Sequence, residues 1–284
     1  METFDKLIEW FVRNGGGGNG GKAIVALSGG VDSAVAALAA KEALGNGAIA
    51  ITADYKTLAE EELAMARQVA KEIGIAHRVI EYDELKNTAF VKNDNMRCYY
   101  CRAELGQRLA GEAKRADITL IVDGTNKDDL TDYRPGIRAL RENGVRSPMV
   151  ELGIGKLQIR EIAKSFGLSV YDKPSNSCLA SRIPTGSKVT YEKLQRIENA
   201  ETIVKTIFGV RQVRVRHHGD LARIEVGRDE LSKMFDVHKL GLLDGKLKAL
   251  SFKFVCVDVA GYKNSDKRIV KDDTIVNDTY VYQQ

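Results

Sequence analysis

No apolar stretch in the sequence approaches the ~20 residues that a membrane-spanning helix requires, so no such helix is expected. The first residues, METFDKLIEWF, carry acids early and lack a basic segment leading into an apolar core, so no secretory signal is expected there. Cysteine is scarce. Four in 284 residues cannot make a disulfide framework, and they point instead to a cytoplasmic set with metal or redox duties for some. Excess charge is lacking too: 43 Lys+Arg against 39 Asp+Glu leave +4, too little to announce a nucleic-acid binder. No repeat of fixed period occurs, and the one low-complexity segment is the glycine run over residues 15–21. With 29% charged and 44% hydrophobic residues, what remains is an ordinary folded chain, long enough for two domains.

Phe4, Leu7, Ile8, Phe11 and Val12 recur at helical spacing and predict a short amphipathic helix before the glycine run. Apolar runs at 23–27 and 48–52, with further strands predicted at 77–82 and 118–124, alternate with helices over 33–44, about 63–73 and 157–166. A short strand is expected at 169–171. Buried strands alternating with helices imply a parallel sheet covered on both faces, an α/β domain over residues 1–187. Beyond Pro184 the rhythm changes: a helix at 191–208, a hairpin turning at His218-Gly219-Asp220, a helical region over 228–250 and a strand at 252–259. That order predicts a smaller α+β domain over 188–284, with residues 263–284 an edge strand or a tail.

The most informative segment is LSGGVDS, Leu27 to Ser33, between the first strand and its helix. Gly29 and Gly30 let the backbone turn and present bare N–H groups, while the helix start adds partial positive charge. Ser28 and Ser33 can donate hydroxyl hydrogen bonds, and Asp32 can hold Mg²⁺ beside phosphates. GKS/T is absent, so no lysine of that motif reaches the terminal phosphates. The segment resembles the PP-loop, the SGGxDS signature of ATP pyrophosphatases, and implies ATP. The same resemblance implies nucleotide contacts at Thr52, ending the second strand, and at Gly124, ending the fourth. Asp128 and Asp129 follow as metal or substrate ligands, or as a solvated helix start.

Cys98 and Cys101 form CxxC in NDNMRCYYCR, and Cys178 lies in KPSNSCLASRIP. Cys256, inside an apolar strand, is expected to be a core residue. Three thiols are awkward for structural zinc, which takes four protein ligands, and suit a [4Fe–4S] cluster with one iron left open. A redox dithiol beside a catalytic Cys178, or an incidental CxxC, are the alternatives. On the helix after Tyr191, Leu194, Ile197, Glu201, Val204 and Phe208 share one face, and Glu201 there needs a partner, a metal or a domain interface. Arg214 and Arg216 lie two apart on one strand face and suit a phosphate. Ser181 and Arg182 are candidates to complete that site, and His217 and His218 are expected to be solvated.

SGGVDS, RCYYC, DGTNKDDL with DYRPG, SP-EL-K-IR-IAK-GL, KPSNSCLASRIP and VRVRHHGDLARIEV together resemble the LarE family over most of residues 21–262. The resemblance implies adenylation of a carboxylate of pyridinium-3,5-dicarboxylate mononucleotide, then replacement of AMP by sulfur, toward the nickel-pincer nucleotide cofactor. It implies a catalytic set of Cys178, Asp32, Glu201 and Asp128, a substrate phosphate among Ser181, Arg182, Arg214 and Arg216, and a homo-oligomer. One family type sacrifices a single cysteine at the position of Cys178. The other carries the extra CxxC and takes sulfide or another sulfur donor on a cluster, and Cys98, Cys101 and Cys178 match the second. A tRNA thiolase would need a more basic surface, an amide-forming synthetase has no use for three cysteines, and an iron–sulfur carrier has none for SGGVDS.

Overall fold

The computed structural model describes residues 2–16, 20–131 and 135–262; the expectations for 17–19, for 132–134 and for 263–284 fall outside these. The first part runs α1 (Glu2–Asn14), β1 (Ala23–Ala26), α2 (Val31–Leu44), β2 (Ala48–Asp54), α3 (Glu60–Ile73) and β3 (Ala76–Glu81). It continues with α4 (Thr88–Val91), α5 (Arg97–Ala116), β4 (Leu120–Val122), α6 (Pro135–Glu142), β5 (Val145–Arg146), α7 (Pro148–Glu151) and α8 (Lys156–Ser165). The second part has α9 (Tyr191–Phe208), β6 (Val213–His218), β7 (Leu221–Val226), α10 (Val237–Ala249) and β8 (Phe254–Val257).

The first five strands form a parallel sheet in the order β3-β2-β1-β4-β5, with Val25 opposite Ala50 on one side and Val122 on the other. Alternation along each strand fills both faces. Ala23, Val25, Ala50 and Val122 pack against α1, α2, α3 and α8. Ile24, Ile51 and Ile121 pack against Leu105 and Leu109 of α5 and Leu140 of α6. A fully buried leucine such as Leu109 contributes about 1.5–3 kcal/mol to this arrangement. α2 is buried nearly all round, and its many alanines let neighbouring elements approach closely. The chain builds outward from β1 to β3, then crosses to β4 on the other side of β1. That reversal opens a crevice at the carboxyl ends of β1 and β4, where such sheets bind ligands.

The smaller sheet has the order β6-β7-β8, antiparallel between β6 and β7 and parallel between β7 and β8. Val213, Val215, Ile224 and Val226 face Val204 and Phe208 of α9 and Leu243 and Leu247 of α10. Arg214 and Arg216 occupy the opposite face of β6, toward the first part. No helix among the described residues is long and apolar enough to cross a membrane.

Several local expectations are corrected. Residues 169–171 form a turn, not a strand; Arg160 donates to the carbonyls of Tyr171 and Lys173 and fastens it. The region 228–250 is broken, with α10 beginning only where Asp236 caps it by accepting from the Lys239 amide. Cys256 is half-buried on an edge strand rather than in the core. His217 is buried, its ring 5.5 Å from that of Phe252, whereas His218 is exposed.

Candidate functional site

The loop after β1 is held open by glycine and closed on itself by serine. Gly29 has φ +75°, and a Cβ there would meet the Glu62 carbonyl at 2.6 Å, so a side chain fits neither the conformation nor the space. Ser33 Oγ donates to the Gly30 carbonyl at 3.1 Å and accepts from the Ser28 amide at 3.1 Å. With its proton spent, Ser33 must accept from the Ser28 hydroxyl at 3.0 Å. Ser33 is thus a staple of the loop. Gly30 caps α2 with no side-chain hydrogen bond, which leaves the first amides of this helix facing the crevice.

Asp32 at the helix start accepts from Asn126 Nδ2 at 3.1 Å and forms an ion pair with Lys156. The Lys156 amide donates to Asp128 at 2.7 Å, so the turn after β4 and the start of α8 are fixed to the loop together. Lys173 Nζ donates to the Gly29 carbonyl at 2.9 Å and to Glu62 at 2.8 Å. Two lysines therefore stand at a loop whose own motif has none. Gly124 is required by contact, since a Cβ there would lie 2.5 Å from the Ser33 nitrogen. The Thr52 hydroxyl donates to the Leu27 carbonyl at 2.7 Å and accepts from His77 Nε2 at 2.8 Å. Burial lowers the pKa of that histidine.

Cys98 and Cys101 lie in the first two turns of α5, and Cys178 immediately precedes the short helical turn Leu179–Arg182. Cys101 and Cys178 pack against one small apolar cluster around Phe90 and Leu179. Arg97 joins the two segments: Nη1 donates to the Ala180 carbonyl at 2.9 Å and to Asn93 Oδ1 at 2.8 Å, and Nη2 approaches Cys98 Sγ at 3.7 Å. Burial pushes the Cys101 and Cys178 thiols up, reinforced at Cys101 by Glu84 and opposed at Cys178 by Arg97. Glu84 is fully buried, accepts the Thr57 hydroxyl at 2.7 Å, and has its carboxyl raised by burial. Among the described residues, no three His, Cys, Asp or Glu side chains gather as a site for a metal ion. In kind the donors fit a cluster: three thiols from two segments of the fold, with Arg97 beside them to offset thiolate charge.

Arg182 corrects an expectation. It is 1% exposed, and its guanidinium donates to Glu201, Asn176, Ser181 Oγ and the carbonyls of Ser177 and Cys178. That leaves no fork for a phosphate, and the side chain organises the Cys178 loop instead. Glu201 is correspondingly occupied, accepting also from the Val215 amide at 3.0 Å. Arg214 is buried, donating to the Ser175 carbonyl at 2.6 Å, with Nε lacking a partner among the described residues. Arg216 pairs with Glu225 and donates to the Ser181 carbonyl at 3.1 Å. Arg214, Ser175, Asn176, Lys173 and Glu62 line a cleft of about 280 Å³.

Sequence reasoning missed Lys156, Lys173, Arg97 and Glu84. Lys173 had a signal in its own motif, five residues before Cys178, and Arg97 directly precedes the CxxC. Lys156 had one as well, as the lysine of SP-EL-K-IR-IAK-GL, whereas Glu84 had none, because only folding brings it to its partners.

The family model for the queuosine biosynthesis protein QueC matches residues 22–101, which include the loop and the CxxC. An uncharacterized protein of Synechocystis is 42% identical, covering 86% of this chain and 90% of its own length. The pyridinium-3,5-bisthiocarboxylic acid mononucleotide synthase of Lactiplantibacillus plantarum is 30% identical over 84% of this chain and 86% of that protein. An uncharacterized protein of Methanocaldococcus jannaschii is 32% identical over 86% and 91% respectively.

Proposed function

Because the chain belongs to the LarE family of PP-loop proteins and is an ATP-dependent, adenylating sulfurtransferase acting on the pyridinium mononucleotide, we propose that it carries sulfur on a cluster, for nickel-pincer nucleotide biosynthesis. One observation supports this reading: Lys173, Glu62 and Asn176 tie the loop to the segment that carries Cys178, and Arg97, beside the CxxC, is bonded to the Ala180 carbonyl of that same segment. The domains are taken as 1–187 and 188–284, in a cytoplasmic homo-oligomer.

In this reading the backbone of Leu27, Ser28, Gly29 and Gly30 and the start of α2 hold the phosphates of ATP. Ser33 keeps the loop in shape, Thr52 and Gly124 border the nucleotide, and Asp32 with Asp128 would hold Mg²⁺. Lys156, ion-paired with Asp32, would be free to reach the phosphates once that carboxylate is otherwise engaged. A substrate carboxylate oxygen bonds to the α-phosphorus, the bond to the bridging oxygen breaks, and pyrophosphate leaves. Arg214 and Arg216, with Ser181, orient the phosphate of the mononucleotide. Cys98, Cys101 and Cys178 would hold the [4Fe–4S] cluster, which would supply sulfide-level sulfur to replace AMP on the adenylated carboxylate. Glu201 acts through Arg182, which holds the Ser177 and Cys178 carbonyls.

The test is anaerobic purification with iron and sulfide analysis and a visible spectrum, followed by the mass of Cys178 after turnover. Bound iron, repeated turnover with added sulfide and an unchanged Cys178 are expected. Dehydroalanine at Cys178, with an active Cys98→Ala protein, would establish the sacrificial mechanism instead. Sulfur transfer to tRNA in place of the mononucleotide would overturn the substrate.

A further inference from the structure

A continuous set of side-chain contacts leads from the nucleotide loop, past Cys178, into the smaller sheet. Lys173 Nζ bridges the Gly29 carbonyl and Glu62 Oε2, at 2.9 and 2.8 Å. The other oxygen of Glu62 accepts from Asn176 Nδ2 at 2.8 Å. Asn176 Oδ1 accepts from Arg182 Nη2 at 3.0 Å, and Arg182 Nη1 donates to the Ser177 and Cys178 carbonyls at 2.6 and 3.0 Å. Arg182 then meets Glu201, which accepts the Val215 amide. Each link is direct. The charged members are well shielded, with side chains 15% exposed at Lys173, 11% at Glu62, 0% at Arg182 and 9% at Glu201.

We propose that Glu62 and Asn176 are positioning residues that couple occupancy of the nucleotide loop to the placement of Cys178. The inference rests on the reading of LSGGVDS as the ATP site. Its physical basis is competition for one ammonium. Among the described residues Lys173 is the cation bonded to Glu62, and it also touches the loop backbone, so phosphates arriving at the loop compete with Glu62 for it. A carboxylate that loses its cation holds Asn176 differently, and Asn176 is the side chain that joins Glu62 to the guanidinium bracing Cys178. Glu62, Lys173 and Asn176 also line the same cleft as Arg214, so a ligand in that cleft meets the coupling elements directly. The arrangement suits a two-stage reaction, in which the sulfur-bearing loop must respond to a nucleotide bound elsewhere.

The two residues break the chain at different links. Asn176 is exposed, and Asn176→Ala removes both of its bonds with little cost to packing. Glu62→Gln keeps an acceptor for Asn176 and weakens the tie to Lys173. The measurement is hydrogen–deuterium exchange over residues 176–182 of the full-length protein, with and without MgATP at saturation, judged for each variant by calorimetry. In the parent protein MgATP is expected to change exchange there by about fivefold or more, the lower end of ordinary site-to-site coupling. In both variants the ATP-dependent difference should collapse, whatever the exchange rate without nucleotide. A purely structural role would shift the rates with and without ATP together and keep their ratio. A preserved ratio in either variant, or no ATP effect in the parent protein despite ATP binding, overturns the coupling and leaves the ATP site standing. Loss of ATP binding in both variants also overturns it, by making them part of the nucleotide site. Failure of the parent protein to bind MgATP would overturn the underlying functional reading instead.

Discussion

Arg182 and Glu201 meet through two parallel hydrogen bonds, Nε to Oε1 at 2.8 Å and Nη2 to Oε2 at 3.1 Å, with both side chains out of water. The pair joins the loop carrying Cys178 to α9, the first helix of the smaller part. Removing one member leaves the other charge buried without compensation. Glu201→Ala is therefore expected to lower stability by about 3–5 kcal/mol, read from denaturant unfolding. Glu201→Gln keeps one acceptor and should lose less. A Glu201→Ala protein as stable as the parent, yet inactive in sulfur transfer, would assign Glu201 to chemistry rather than to bracing.

Gly124 sets how closely β4 approaches α2. A methyl group there would stand 2.5 Å from the Ser33 nitrogen and 2.7 Å from its Cα, both backbone atoms that cannot turn aside. Gly124→Ala should cost about 1–3 kcal/mol as an overpacked contact and weaken ATP binding by moving the start of α2. Gly111, inside α5, gives the contrast, with nothing within 4 Å of the place a methyl group would take. There alanine should add about 0.5–1 kcal/mol by restricting the unfolded chain. Thermal unfolding of the two variants checks both signs.

These glycines also mark how far the fold could be read from the sequence. The first strand, with Val25 on one face and Ile24 on the other, was legible because a short continuous apolar run buried on both faces is a local signal. So was the SGGVDS loop, whose glycines sit where the turn needs them. α5 was not, because Arg97, Tyr99 and Arg102 in its first turns lack an apolar stripe and its burial comes later, at Leu105 and Leu109. The division of labour among the arginines was hidden for another reason. Arg182, Arg214 and Arg216 are alike in sequence, and only the placement of Glu201 and Glu225 shows which are tied to carboxylates. For His217, a place beside a turn suggests solvent, whereas pleating sends the ring inward against Phe252.

Lys156 and Mg²⁺ compete for the same carboxylate in the proposed mechanism, since Lys156 is ion-paired with Asp32. Lys156→Met leaves Asp32 without that cation and should let Mg²⁺ bind at lower concentration. The same variant loses the ammonium that moves to the phosphates, so ATP–pyrophosphate exchange should fall about tenfold or more, the equivalent of ~1.4 kcal/mol in the barrier. Exchange assayed over a Mg²⁺ titration separates the two effects. A variant needing more Mg²⁺ than the parent would show that Lys156 helps to hold the metal rather than competing with it.

His217 gives the second sheet a defined response to acid. Its ring is buried, and burial lowers its pKa, with Arg196, Lys193 and His218 pushing the same way. In the folded protein it therefore stays neutral at pH values where the unfolded chain, titrating near its ordinary value of about 6.5, takes up a proton. Stability from this group is fully present above that value and is lost as pH falls toward the depressed folded pKa. His77 and His218 are lowered by burial as well and add to the same trend. His217→Leu keeps the contact with Phe252 and removes the titrating nitrogen, so its thermal midpoint should fall less than the parent's between pH 7.5 and pH 5. The comparison needs only melting curves across that range, at constant ionic strength. Parallel pH profiles for the two proteins would mean that His217 takes up its proton without cost, and that the buried ring contributes nothing to acid sensitivity.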